Sequence, residues 1–256
     1  MDIGLDLGSL AHGGLEVYFK LLAENVHYDD RMQAALMKIR ELSSNPEESN
    51  SEPEDVLPLL SAVEQSCDYW RAEDENSLGI LAVEQPFVYV LFEDDTVRII
   101  LSGKIDLLVN FTGIGRNASY ERLPIDHKTF SRDSMLLRKS NQFINYCAAV
   151  GSNYIVINRI GLQKTLKAEE KFKRLPLSYD PIYIKDWKDN LTKMILSEYL
   201  TAIASGDWVE KPTSCNKFNR ICEYYNICDS SGQDAKDNKL ENEYITVEGW
   251  DVTKGL

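Results

Sequence analysis

The middle of the chain constrains the fold most, because two of the strands predicted there place an aspartate among apolar residues. Leu81–Phe92 and Val97–Phe111 are rich in β-branched and aromatic residues, and Glu93–Asp95 between them predicts a hairpin turn. A third strand is predicted from Glu121 to Lys128. A carboxylate inside such a strand is unfavourable unless a cation or hydrogen-bond donors accompany it. The sequence therefore predicts a sheet that carries a charged site.

Segments with helical spacing precede and follow these strands. They are Ser9–Asn25 with Ser9 as the N-cap, Asp30–Leu42, Glu54–Ala72, Asp133–Val150, and Asp180–Ser205 with Gly206 as the stop. Tyr154–Ile160 predicts a buried strand, and Lys164–Leu175 predicts an outer strand. Helices first, then a mostly antiparallel sheet with one crossover helix, predict an α/β fold.

The charge balance excludes one class of nucleic-acid binder. The 256 residues include 41 acidic and 28 basic side chains, and the net charge of −13 disfavours a passive polyanion binder held by overall charge. An enzyme with a local basic groove is compatible with this balance because basic residues cluster, although the second cluster also fits an ordinary solvated face. The clusters are Arg132, Arg138 and Lys139, and then Lys164, Lys167, Lys171, Lys173 and Arg174.

Cysteine content and hydropathy indicate the compartment. Five cysteines are too few for a disulfide framework, which favours a reducing environment. No run approaches the roughly 18–20 apolar residues that a membrane-spanning helix needs, and the start of the chain lacks the features of a secretory signal. We therefore expect a cytoplasmic protein with no membrane partner.

Asp106 and Asp126 lie on successive predicted strands and are the strongest candidates for chemistry. Two neighbouring carboxylates repel each other unless a metal ion lies between them, and such oxygen ligands suit Mg²⁺ or Mn²⁺. Lys128 faces the same side as Asp126 because alternate side chains of a strand share a face, whereas His127 points away. A metal ligand beside an ammonium group suits phosphodiester hydrolysis by metal-activated water. An Asp-x-Lys triplet alone is also typical of a surface ion pair.

Three further polar residues have the spacing or setting of site residues. Gln142 and Tyr146 are four positions apart on a predicted helix, so they share a face, and the strand that carries Asp126 is their natural partner. His12 is the only histidine of the first predicted helix and lies beside two glycines that permit close packing. Its neutral imidazole is a good third metal ligand. Each of the three, taken singly, also fits an ordinary core or boundary position.

The order of these motifs resembles that of a known family. GSLAHGGLEVYF, GKID, IDHK and QFINY follow one another as in the RecB-like branch of the PD-(D/E)xK nuclease superfamily. That branch includes AddB-type recombination nucleases, CRISPR-associated adaptation nucleases and phage exonucleases. The resemblance extends from Leu10 to Cys228. It implies an α/β fold with a restriction-endonuclease-like core, a mixed sheet flanked by helices, and a C-terminal cysteine-cluster module.

The resemblance also implies roles for individual residues. His12, Asp106 and Asp126 would bind the divalent metal, with the backbone carbonyl of His127 as a further ligand. Glu84 in AVEQPF matches an acidic position common in the family, and we expect a structural role for it first. The implied catalytic set is Asp106, Asp126, Lys128, Gln142 and Tyr146, in which Lys128 is the catalytic lysine and the last two residues support the site and contact DNA.

Three of the five cysteines are close together. Cys215, Cys222 and Cys228 form a C-x6-C-x5-C run that resembles the C-terminal iron–sulfur motif of this branch. A [4Fe–4S] cluster or a structural zinc site takes four ligands, and the resemblance places the fourth ahead of the His-bearing helix, where this sequence has no cysteine. Three alternatives stay open: the chain lacks its natural beginning, or Cys67, Cys147 or a non-cysteine ligand completes the site, or no cluster forms. Core packing is the simpler interpretation of Cys67 and Cys147.

These features together predict a metal-dependent DNA nuclease, in particular an exonuclease that acts on DNA ends or single strands in recombination or repair. The expected partners are DNA and recombination or CRISPR-adaptation proteins. Two alternatives stay open: a catalytically silent DNA-binding or scaffolding member of the same fold, and a metal-dependent phosphohydrolase of small nucleotides. The predicted domains are a nuclease domain at 1–211, a cysteine-cluster module at 212–228 and an acidic tail at 229–256.

Overall fold

Five strands rich in β-branched and aromatic residues form one mixed sheet, whose spatial order is the order along the chain. The strands are β1 (Leu78–Glu93), β2 (Arg98–Thr112), β3 (Ser119–Phe130), β4 (Tyr154–Gly161) and β5 (Phe172–Ser178). β3 and β4 are parallel, and the other three neighbouring pairs are antiparallel. The prediction of a mostly antiparallel sheet with one crossover is confirmed.

The computed structural model describes residues 3–45, 53–113, 119–130, 137–163, 165–206, 216–217, 220–222 and 224–244. The chain divides into two units, Ile3–Lys193 and Met194–Gly255. Within the described ranges, no helix is both long and apolar enough to cross a membrane.

Three helices that precede the sheet in sequence cover one of its faces. They are α1 (Ile3–Ala23), α2 (Tyr28–Ser43) and α3 (Pro53–Ser77), and their apolar side chains share a core with Leu107, Ile125 and Ile160 of the sheet. Gly14 lets α1 and α2 approach closely, since a Cβ there would lie 2.6 Å from the side chain of Ile39. The predicted close packing beside His12 is therefore confirmed.

A helix in the connection between β3 and β4 packs on the other face. Helix α4 (Asn141–Val150) packs Phe143, Ile144 and Cys147 against Ile105 and Ile157 of the sheet. The remaining helices of this unit are α5 (Ala168–Lys171) and most of α6 (Pro181–Met194).

The second unit contains the rest of the described chain. It holds a π-helical turn at Ile195–Tyr199, α7 (Leu200–Ser205), the two-residue strands β6 (Asn216–Lys217) and β7 (Arg220–Ile221), α8 (Tyr225–Cys228) and α9 (Gln233–Glu243). Gly206 ends α7 with a left-handed φ of 70°, which confirms the predicted stop. The described residues of the predicted segments 212–228 and 229–256 belong to this unit.

The predicted starts of three elements were wrong. Helix α1 starts at Ile3 rather than at a Ser9 cap, because Leu7 ahead of Ser9 extends its buried apolar face. Helix α4 starts at Asn141 rather than Asp133, since Ser140 adopts an extended N-cap conformation behind a 3₁₀ turn at Leu137–Lys139; residues 131–136 lie outside the described ranges. The outer strand starts only at Phe172, because residues 168–171 form α5.

Candidate active site

The candidate site lies at the point where β2 and β3 separate. The ladder between these strands runs from Thr112–Ser119 to Leu107–Ile125, so Asp106 and Asp126 are the next residues beyond its end. Asp106 Oδ2 accepts a hydrogen bond of 2.7 Å from the backbone nitrogen of His127. Where β2 and β3 separate, at a position we call the fork, the Asp106 carboxylate replaces a backbone carbonyl as the acceptor for this nitrogen. The hydrogen bond orients the Asp106 side chain.

Glu84 places a third carboxylate beside this fork. Val83 pairs with Leu107 and Gln85 with Ile105, so Glu84 lies opposite Asp106 in the antiparallel register. The backbone of Glu84 has a φ of 53°, a left-handed conformation that non-glycine residues rarely adopt. Glu84, Asp106 and Asp126 therefore form one row across three adjacent strands.

Sequence reasoning gave Glu84 a structural role first and therefore missed its position in the site. The only sequence feature that indicated a place in the site was the match of Glu84 to an acidic position common in the family. Alternation along β1 alone could not locate it, because the positive φ interrupts the regular strand conformation.

His12 completes a group of ligands that could hold a divalent cation. Helix α1 brings His12 Nδ1 to 3.4 Å from Asp106 Oδ2. One ligand atom each from His12, Glu84 and Asp106 lie within 4.8 Å of one another. Carboxylate oxygens are donors that suit Mg²⁺ or Mn²⁺, and a neutral imidazole nitrogen is a common additional metal ligand. The residues therefore fit such an ion.

Asp126 and Lys128 lie on one face of β3, as its alternation predicts, and they form an ion pair. Lys128 Nζ donates to Asp126 Oδ1 at 2.9 Å and lies 2.8 Å from Oδ2, without hydrogen-bond geometry to the latter atom. The Asp126 side chain is fully buried, whereas 36% of the Lys128 side chain is exposed. Burial raises the pKa of Asp126 to about 6 despite the nearby ammonium, and the charge of Asp106 acts in the same direction.

The His127 side chain points away from this pair, as predicted. Its ring stacks on Phe19 at 5.2 Å, and its Nδ1 lies 2.9 Å from Asn158 Nδ2 on β4. Burial holds the pKa of His127 well below its usual range, so the ring is neutral. The proposed role of its backbone carbonyl as a metal ligand stays a prediction.

Gln142 and Tyr146 share the face of α4 that is next to the carboxylates. Gln142 Nε2 donates to Tyr146 Oη at 2.8 Å, and the Tyr146 ring meets Phe87 edge-on at 5.9 Å. Burial raises the pKa of Tyr146, and the negative charges of Asp106 and Asp126 add to this effect. Tyr146 therefore remains protonated and can donate a hydrogen bond.

Two basic residues that were predicted to line a DNA-binding groove are buried in the structure. Arg174 is 9% exposed and pairs with two carboxylates of α3, with Nη1 at 2.7 Å from Glu73 and Nη2 at 2.5 Å from Asp74. Lys171 is also buried, and its Nζ lies 3.4 Å from Gln65 Oε1. We assign these two side chains a structural role. Carboxylates of α3 neutralise Arg174, and Gln65 accepts a hydrogen bond from Lys171; each partner is about a hundred residues away in the sequence. Arg138, Lys139 and Lys167 are exposed and Lys173 is half-buried, while Arg132 and Lys164 lie outside the described residues.

The cysteines separate into a buried pair and a pair with accessible side chains. Cys67 and Cys147 lie in the two cores beside the sheet, as the core interpretation predicted, and burial raises the pKa of both thiols, that of Cys147 to about 12. Cys222 is half-exposed and Cys228 is exposed, whereas Cys215 lies outside the described residues. The described residues thus offer two accessible thiols from the predicted cysteine run.

Comparison with known proteins gives a family that agrees with this geometry. A family model described as the PD-(D/E)XK nuclease superfamily matches residues 2–229. No curated protein matches. A solved structure titled "Crystal structure of SSO0001" matches with a TM-score of 0.32 and 11% identity, over 56% of this chain and 61% of that chain. Members of the superfamily are nucleases that use divalent metals, with DNA as substrate. The match over nearly the whole length shows that the chain belongs to the PD-(D/E)XK nuclease superfamily.

Proposed function

We propose that this protein is an Mg²⁺- or Mn²⁺-dependent deoxyribonuclease of the RecB-like branch, an exonuclease that acts on DNA ends or single strands in recombination or repair. The observation that carries the proposal is the row of Glu84, Asp106 and Asp126 across three strands, with Lys128 against Asp126. Such a concentration of acidic groups is unfavourable for the fold alone, so a cationic ligand explains why it is present.

In this proposal His12, Asp106 and Asp126 bind the cation, with Glu84 and the His127 backbone carbonyl as further ligands. When bound, the cation would neutralise phosphate charge and lower the pKa of the attacking water. The ammonium of Lys128 places a positive charge beside the scissile phosphate, where it stabilises charge that develops in the transition state. The backbone nitrogen of His127 keeps Asp106 oriented during this step.

Gln142 and Tyr146 would support the site and contact DNA. Their mutual hydrogen bond fixes the amide and the phenol on one face of α4. Because the pKa of Tyr146 is raised, its hydroxyl can donate to a phosphate oxygen over the whole working range of pH.

The test is digestion of end-labelled single-stranded and duplex DNA by the purified protein with Mg²⁺ or Mn²⁺. Asp126→Ala and Lys128→Ala should abolish cleavage, whereas Asp95→Ala, which removes an exposed carboxylate at the β1–β2 turn, should not. Shortening from the labelled end distinguishes an exonuclease from an endonuclease. Cleavage that persists in either site variant would refute the assignment, and end-binding without turnover would favour a silent scaffolding protein. Nucleoside triphosphates serve as the comparison substrate for a small-nucleotide phosphohydrolase.

We also propose that Cys215, Cys222 and Cys228 contribute three ligands to a [4Fe–4S] cluster in a cytoplasmic protein. Cys222 and Cys228 are accessible, and none of the four cysteines in the described ranges forms a disulfide. The donor set is incomplete because a fourth ligand is not identified, so no step of the reaction is assigned to a cluster. Iron content and visible absorption of anaerobically purified protein test this point. Recombination or CRISPR-adaptation proteins are the partners that the proposal implies.

A further inference from the structure

We propose that Lys104 is a metal-dependent DNA ligand: it holds Glu84 in the metal-free protein and turns to a DNA phosphate when Glu84 engages the divalent cation. This inference rests on the proposed function, because it needs both a cation at the carboxylates and a DNA substrate.

The ion pair between Lys104 and Glu84 lies at the rim of the candidate site. Lys104 Nζ is 2.6 Å from Glu84 Oε2. The Lys104 side chain is 59% exposed and that of Glu84 is 13% exposed. The carboxylate is thus largely enclosed, while the lysine approaches it from solvent. Lys104 can leave without disturbing the core, whereas Glu84 stays where it is.

Glu84 belongs to two competing interactions. Its carboxylate is paired with Lys104, and it also lies within 4.8 Å of ligand atoms of His12 and Asp106. A divalent cation bound to this group would repel an ammonium group a few ångströms away and would attract the carboxylate more strongly than a single charge does. Cation binding therefore favours release of Lys104 from Glu84.

A released Lys104 would have a substrate within its reach. The side chain lies on β2, two residues before Asp106, at the edge of the site in which the scissile phosphate would bind. Lysine is a flexible point charge that binds phosphate without a fixed geometry. It can therefore contact the DNA phosphate next to the scissile one. The cation and the DNA backbone would then each take one partner of the ion pair.

This arrangement couples the two ligands thermodynamically. If the cation raises the affinity for DNA by making Lys104 available, then DNA must raise the affinity for the cation by the same factor. In the absence of DNA, the lysine acts as a competitor for Glu84. Removal of the lysine should therefore strengthen cation binding and weaken cation-dependent DNA binding, two effects of opposite sign.

The experiment measures affinity for a single-stranded oligonucleotide as a function of KCl, with Mg²⁺ or with EDTA, in a Lys128→Met background that prevents turnover. In Mg²⁺, Lys104→Met should reduce the slope of log affinity against log salt by about 0.7, the value for one lost phosphate contact on single-stranded DNA. In EDTA it should leave the slope unchanged. Without DNA, calorimetry should show Mg²⁺ affinity increased by up to about fivefold, which corresponds to the loss of one exposed ion pair.

Two comparisons make the result specific. Lys185→Met removes an exposed lysine that pairs with Asp189 at 2.7 Å on α6, and its effect on the slope should not depend on Mg²⁺. In a Glu84→Gln background the lysine is already free, so Lys104→Met should reduce the slope in EDTA as well. These two results would support the inference.

A slope change for Lys104→Met that is equal with and without Mg²⁺ would overturn the inference, as would unchanged or weaker Mg²⁺ binding. Neither result would affect the proposed nuclease activity, which depends on Asp126 and Lys128. Absence of metal-dependent DNA cleavage by the wild-type protein would instead overturn the proposed function itself.

Discussion

Because Asp126 is buried, the free energy of unfolding should depend on its ionisation by an amount that can be calculated. The pKa of Asp126 is raised from 3.8 to about 6, so the folded protein binds this proton more tightly than the unfolded chain does. At about 1.4 kcal/mol for each pH unit between the two values, ionisation of Asp126 lowers the free energy of unfolding by about 3 kcal/mol at pH 7. This penalty is absent below pH 4 and develops as the pH rises from about 4 to about 6.

Asp126→Asn removes the ionisation at nearly constant volume. In metal-free protein, the free energy of unfolding of the variant should therefore increase relative to wild type as the pH rises from 4 to 7, by about 3 kcal/mol. Urea unfolding in EDTA at several pH values measures this difference. Saturating Mg²⁺ should stabilise the wild type more than the variant, since only the wild type has the carboxylate ligand.

An exposed carboxylate provides the control. Asp95→Asn at the β1–β2 turn should show no comparable change with pH. A difference between Asp126→Asn and wild type that stays constant from pH 4 to pH 7 would refute the reasoning, because it would mean that burial of Asp126 does not oppose its ionisation.

Three further variants test separate parts of the structure. Lys128→Met should keep Mg²⁺ binding by calorimetry but lower the single-turnover cleavage rate at least about 100-fold. Gly103→Ala should cost about 1–3 kcal/mol in urea unfolding because its Cβ would lie 2.7 Å from an aromatic ring, whereas Gly79→Ala, with its nearest contact at 3.5 Å, should cost less. Arg174→Met should cost about 3–5 kcal/mol in the same assay because it leaves the buried charge of Asp74 unpaired; a cost below about 1 kcal/mol would contradict a buried ion pair.

Several features of the site follow from the sequence because they depend only on local periodicity. Alternation along a strand places Asp126 and Lys128 on one face and His127 on the other, and the structure shows both. Helical spacing places Gln142 and Tyr146 together, and they are hydrogen-bonded. These relations hold for any strand or helix that contains the motifs, so no knowledge of the fold was needed.

Helix boundaries were less predictable because favourable local signals compete. Ser9 has the side chain of an N-cap, yet α1 continues through it, since an earlier start also buries Leu7. The predicted helix from Asp133 was too long because Leu137–Lys139 form a 3₁₀ turn and Ser140 adopts an extended N-cap conformation, so α4 begins only at Asn141.

The sequence by itself determined the α/β class, the shared strand face of Asp126 and Lys128, and the family motifs. Only the tertiary structure decided that Glu84 joins His12 and Asp106, and that Arg174 serves the core rather than a basic surface. The reason is that strand register and helix docking bring together residues far apart in the chain, such as Asp74 with Arg174. Local spacing contains no information about those distances.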